Sequence, residues 1–172
     1  LNLRLRPQLF EQLKPGSRIL THDFDFGDWQ PDRKITVDVP DKPYGAPRSD
    51  IMLWVVPADF SGVWQWTAPG SADGDVRYEA RIEQRFQLPS LLLISEGLRL
   101  AVSEARVRGN TLSFAVNGPA GLQRFSAALS GNTLNGQVLR GDGPPVNWMA
   151  TRIKAGKMDI GTGGITPVAV GN

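Results

Sequence analysis

The densest group of chemistry-bearing side chains is His22-Asp23-Phe24-Asp25-Phe26-Gly27-Asp28. An imidazole and three carboxylates within seven residues suit two kinds of chemistry. They can ligate a hard cation, or they can hold and move a proton beside a substrate. The spacing argues against the first. If this stretch is extended, alternation sends His22 and its neighbouring Asp side chains to opposite faces. The Asp-x-Asp-x-Asp-Gly order and distant Glu of a calcium loop are missing. The expectation is therefore no metal at His22, Asp23, Asp25 and Asp28, with a strand end and turn-forming Asp residues as the plain alternative to a substrate-side role.

Composition narrows the chemistry further. His22 is the single histidine and there is no cysteine. Two-imidazole mechanisms, thiol nucleophiles, thiolate metal sites and disulfide scaffolds are excluded. No strand-linked Gly-x-Gly-x-x-Gly, Walker-type loop or Gly-x-Ser-x-Gly elbow occurs. Gly161-Thr-Gly-Gly164 imitates a phosphate loop but has no strand before it and no helix after it. Net charge is +2 with a sequence pI of about 9.2, too little to indicate nucleic acid. The longest apolar run, Ile51 to Pro57, is far short of the ~20 residues that span a bilayer. Trp54, Trp64, Trp66 and Trp148 could form a stacking platform, but core packing is the preferred reading. Arg77, Arg81, Arg85, Arg99, Arg106 and Arg108 could form a basic stripe. Interleaved Glu79, Glu83 and Glu104 point instead to pairing on a solvated face.

The elements that must carry these residues follow from periodicity. Nineteen Gly and thirteen Pro among 172 residues disfavour a helix bundle. Leu5, Leu9 and Leu13, with Pro7 in a first turn, predict one short helix ended by Lys14-Pro15-Gly16. Residues 18–23 read as a strand and 24–49 as loop with one strand at 35–39. Ile51–Val56 is apolar on both faces, so it belongs inside a sheet or presents a sticky edge. From Val76 the period becomes two. Strands are predicted at 76–82, 91–95, 98–107, 111–116, 123–129, 133–139 and 147–153. Gly109-Asn110 and Gly131-Asn132 sit in a short internal repeat, twenty-two residues apart, that reads as hairpin chemistry. The result is a mainly β chain. Residues 1–68 form a helix plus β-hairpin piece of an α/β sheet. Residues 75–153 form an antiparallel meander or small barrel, and 154–172 a Gly-rich tail.

Three segments carry a resemblance. Asn2-Leu-Arg-Leu-Arg-Pro7, Leu13-Lys-Pro-Gly-Ser-Arg-Ile-Leu20 and His22-Asp-Phe-Asp-Phe-Gly-Asp-Trp29 resemble the second half of a class I S-adenosylmethionine-dependent methyltransferase, in a bacterial group with an extra C-terminal β region. Leu53-Trp54-Val55-Val56-Pro57 is similar to that fold's final antiparallel strand, which inserts beside the late strand. The match covers residues 1–66. It implies that Asn2 ends the motif lining the active site and that His22 stands at the substrate-side end of the late strand; Asp23 and Asp25 are substrate-side candidates from the residue cluster itself. It also implies that the cofactor is held by residues upstream of Leu1, so this chain alone binds no S-adenosylmethionine and is inert. The expected partners are the missing N-terminal half of the same protein, or a second copy through Ile51–Val56. No membrane partner is expected. A chain opening without Met reads as a processed or truncated product. The rival reading is a non-enzymatic β-barrel binding or dimerisation module. The methyl acceptor is open, and so is the compartment, with cytoplasm the default and periplasm the alternative.

Overall fold

The computed structural model describes residues 2–69, 74–118 and 121–161. Most of the Gly-rich linker at 69–74 and the tail from residue 162 lie outside the described residues. The chain is mainly β and divides between Val56 and Pro57 into two compact units, with Ile160 and Gly161 grouped with the first.

The first unit contains α1 (Asn2–Gln12), β1 (Arg18–His22), β2 (Arg33–Asp38) and β3 (Arg48–Val55). The helix is where the sequence places it, but its buried face differs. Leu3 and Leu5 are exposed, whereas Arg6 is 2% exposed. Its guanidinium donates to the Phe26 carbonyl at 2.9 Å and pairs with Asp28. A buried cation needs such partners, and the turn at Phe26–Asp28 supplies them. The Leu3 side chain lies on that turn at Gly27, where a Cβ would come within 2.7 Å of it. Pro7 falls within the helix, beyond its first turn.

β3 pairs with β1 on one side and β2 on the other, antiparallel to both. β1 and β2 therefore run parallel to each other. This corrects the expected free edge at Ile51–Val56, because β3 is the central strand. The unpaired edges among the described residues belong to β1 and β2. One face of the sheet carries Met52 and Trp54, and Trp54 packs edge-on against Phe26 at 4.9 Å. Trp29 and Trp54 are fully buried, and the Trp54 indole N–H donates to the Trp29 carbonyl at 3.0 Å. That bond removes the cost of burying the indole dipole. The opposite face stays open. Leu20 is 68% exposed, and Ile35 and Val37 are also exposed, with Ile51 and Leu53 half-buried between them.

The second unit is a closed antiparallel barrel of eight strands in the order β10-β11-β4-β5-β6-β7-β8-β9. They are β4 (Gly62–Pro69), β5 (Asp75–Arg85), β6 (Leu88–Ser95), β7 (Leu98–Arg108), β8 (Thr111–Gly118), β9 (Gly121–Ser130), β10 (Thr133–Arg140) and β11 (Val146–Ala155). Seven of them form the predicted meander. The eighth, β4, was grouped by sequence with residues 1–68. Register pairs it with β5 and β11 instead, which closes the sheet and removes its edges. Gly109 and Gly131 open their hairpins at φ of 55° and 58°, conformations glycine reaches without a Cβ clash.

Alternation fills the barrel with Trp64, Trp66, Ile82, Leu93, Leu112, Phe114, Phe125, Leu134 and Trp148 among others. Trp66 stacks on Tyr78 at 5.3 Å and meets Trp148 edge-on at 5.3 Å. Three of the four candidate platform Trp residues are thus barrel core, and Trp54 is core in the first unit. Of the arginine stripe, Arg81 pairs with Glu79 at 3.0 Å and Arg85 with Asp159 at 3.7 Å. After β11 the chain stays tied down through Asp159. It forms a parallel bridge with Arg85, and its N–H donates to Gln84 at 2.8 Å. No described helix is long and apolar enough to cross a membrane, which says nothing of β-barrels.

Candidate functional site

β1 delivers His22 to its carboxyl end. The next residue, Asp23, takes a left-handed φ of 61°. Asp tolerates this conformation better than most residues. The turn swings the Asp23 carboxylate toward β3. There it accepts from the Asp50 N–H at 2.7 Å and the Ser49 hydroxyl at 3.4 Å, and it pairs with Lys42. The His22 Nε2 is 3.6 Å away from the same carboxylate. Hydrogen bonding from Lys42 first, then from the Asp50 amide, holds the Asp23 carboxyl below its ordinary range.

Lys42 is the buried end of a strap, residues 39–47, between β2 and β3. Its side chain is 11% exposed. Its Nζ also donates to the Arg48 carbonyl at 2.9 Å. The strap is closed by the Val39 N–H donating to the Pro47 carbonyl at 2.9 Å, and Pro40, Pro43 and Pro47 stiffen it. Asp50 beside it pairs with Lys34 at 2.7 Å and accepts from the Thr36 hydroxyl at 2.7 Å. Those two contacts hold its carboxyl low as well.

The sequence candidates separate into two groups. His22 and Asp23 come together, and Asn2 reaches the segment just after them. The Asn2 amide donates to the Phe24 carbonyl at 3.1 Å, tying the start of α1 to the segment after His22. Asp25 turns back on its own loop and accepts from the Gly27 N–H at 3.0 Å. Asp28 faces Arg6. Each carboxylate is thus engaged with a different partner. Among the described residues no three His, Cys, Asp or Glu side chains form a group able to hold a metal.

Two cavities open beside His22. One, of about 350 Å³, is lined by His22, Phe24, Lys42, Tyr44 and Arg48, with the carboxylates Asp23 and Asp50 also in its wall. The other, of about 550 Å³, is walled mainly by Val37, Val39, Pro40, Tyr44 and Ile51. His22, Lys42 and Tyr44 border both. Comparison with protein-family models, curated proteins and solved structures finds no match to this chain.

The geometry therefore carries the functional argument by itself. A half-solvated imidazole stands beside an ion pair and borders two cavities, one lined largely by charged and polar side chains and one walled mainly by apolar ones. Such a group can hydrogen-bond a ligand or take its proton. Lys42, Tyr44 and Arg48 escaped the sequence reading because they act from a loop about twenty residues away. The signal was present in the Pro-Asp-Lys-Pro-Tyr-Gly-Ala-Pro run, a loop too rich in proline to be a flexible linker.

Proposed function

We propose that this chain is the C-terminal part of a class I S-adenosylmethionine-dependent methyltransferase, with its first unit forming the acceptor side of the active site. One observation carries the reading. β3 lies antiparallel between two strands that run parallel to each other, and the outer edge of β1 is unpaired among the described residues. An antiparallel strand inserted beside the late strand is what the resemblance implies. A free parallel-type edge with an open apolar face is where a larger mixed sheet continues. In open α/β sheets ligands bind beyond the carboxyl ends of the strands, the end of β1 that bears His22.

S-adenosylmethionine supplies an electrophilic methyl group when bound. This chain's described residues do not fit it. α1 precedes β1, and the Asp23 turn follows it, so no glycine-rich loop between a strand and a helix is there to cradle the cofactor. The proposal puts those contacts on residues outside the chain. What this chain contributes is orientation of the acceptor and a proton-accepting imidazole.

Calorimetric titration tests the proposal on two samples, the present chain and a polypeptide extended by the reading frame upstream of Leu1. A saturable one-to-one isotherm is expected only for the extended polypeptide. No isotherm for the extended polypeptide would overturn the proposal, as would a one-to-one isotherm for the present chain.

A further inference from the structure

The geometry points to a specific acceptor class for the smaller cavity: a flat aromatic ring bearing a hydroxyl group, seated between Phe24 and Tyr44. This inference rests on the reading of the His22 site as the acceptor side. The two rings are 71% and 73% exposed, and both line the same cavity of about 350 Å³. A phenylalanine left that far in water loses the burial that aromatic residues normally gain. The backbone that carries each ring is fastened. The Phe24 carbonyl accepts from the Thr21 hydroxyl at 2.6 Å and from Asn2 at 3.1 Å. Tyr44 rides on the strap fastened by Lys42. Two unstacked rings that line one cavity favour a planar guest, which can bury both faces against them.

Charge selects within that class. Asp23 is compensated by Lys42, and Asp50 by Lys34. Arg48 lines the same slot and enters no ion pair among the described residues. Among the residues that line the slot, Arg48 is thus the cation with no carboxylate bonded to it, its nearest counter-charge being Asp38 opposite it on β2, and each carboxylate already has a bonded lysine. An ammonium guest is disfavoured there. A hydroxyl oxygen, which gains from a nearby guanidinium and can donate to the His22 imidazole, is favoured. The cavity size suits a guest of one or two rings.

The test uses the present chain and needs no methyl donor. Labelled protein is titrated with 4-methylphenol, 4-methylcyclohexanol and n-butylamine while the ring signals of His22, Phe24 and Tyr44 are followed by NMR. Saturable shifts are expected with 4-methylphenol. Binding of 4-methylcyclohexanol should be about tenfold weaker, and n-butylamine should give no saturable shift. Tyr44→Ala and Phe24→Leu should each weaken 4-methylphenol about tenfold, a difference of about 1.4 kcal/mol. Amide spectra confirm that each variant is folded. The inference is overturned if 4-methylphenol does not saturate, if n-butylamine binds as tightly, or if Tyr44→Ala changes nothing. Phenol binding here with no cofactor isotherm in the extended polypeptide would remove the methyltransferase reading and leave the slot standing. The opposite pair of results would do the reverse.

Discussion

Gly136 is the position where the barrel tolerates least. It sits mid-strand in β10, opposite Ala127 of β9 and Trp148 of β11. A Cβ there would lie 1.9 Å from the Ser126 carbonyl oxygen and 2.5 Å from the Ala127 Cα. Real Cβ atoms essentially never come within 3.0 Å, so the strands must part by at least 3.0 − 1.9 = 1.1 Å. That stretch takes an ordinary ladder bond of ~2.9 Å to about 4.0 Å, outside hydrogen-bond range. Two such bonds at about 1 kcal/mol each, plus roughly 1–3 kcal/mol of overpacking strain, put Gly136→Ala at about 3–5 kcal/mol. A closed barrel has no edge along which β10 can slide to relieve it. Gly131→Ala is the control. It lies in the β9–β10 turn with nothing within 4 Å of its Cβ, and costs only the strain of a positive φ, about 1 kcal/mol. Urea titration followed through NMR amide signals of β9 and β10 separates the two. With a slope of about 1–1.5 kcal/mol per molar for a unit of this size, the midpoint should fall by about 2–5 M for Gly136→Ala and by under ~1 M for Gly131→Ala. Equal midpoints for the two variants would refute the register.

Acid should loosen the strap, through Asp23 and Asp50, and the barrel, through Glu79, along a predictable limb. Asp23, Asp50 and Glu79 all have carboxyls held below their ordinary values, by Lys42, Lys34 and Gln65 first among their partners. Their contribution is complete above the unfolded-chain values, ~3.9 for Asp and ~4.3 for Glu, and is lost as pH falls through the lower folded values. Asp23→Asn should therefore flatten the dependence of the thermal midpoint on pH between about 2 and 5, and an unchanged slope would contradict it. The open sheet face and the unpaired edge of β1 should make the isolated chain self-associate at micromolar concentration, as measured by light scattering. Leu20→Lys, at 68% exposure, should return it to monomer. A wild-type chain that stays monomeric at about 100 μM would mean that this face is stable in water. Val55 is the wrong place for that test, because at 8% exposure a lysine there would unfold the sheet first.

Legibility differed between the two units for a physical reason. In the barrel each strand buries one face, so period two and the repeated Gly-Asn turns are enough to read β5 to β11. β4 was the exception. Its Trp64 and Trp66 alternate inward like the rest, but Asp59, Gly62 and the Gly-rich linker surrounding it look like loop, and only closure onto β11 shows where it belongs. In the first unit the periodicity misled. The Leu5, Leu9, Leu13 stripe predicts an apolar helix face, yet the fully buried side chain of the helix is an arginine, helped by Phe10 packed on Trp29 at 4.7 Å. No propensity scale marks an arginine for burial, because its cost is offset only by carbonyl and carboxylate partners that lie about twenty residues away.

The same distinction governs the site. His22 and Asp23 were readable because they are adjacent and their side-chain types are chemical. Their pairing geometry was not, since alternation alone sends neighbouring side chains to opposite faces. The left-handed turn at Asp23 breaks that rule. It brings the carboxylate to within 3.6 Å of His22 Nε2 while Lys42 satisfies its other side. A local backbone departure and a strap from elsewhere in the chain thus convert two sequence neighbours into one site. Replacing Lys42 removes the partner that the buried side of Asp23 depends on. The strap that carries Tyr44 would then lose its fastening, so the imidazole and the ring that define the slot are positioned by one ion pair.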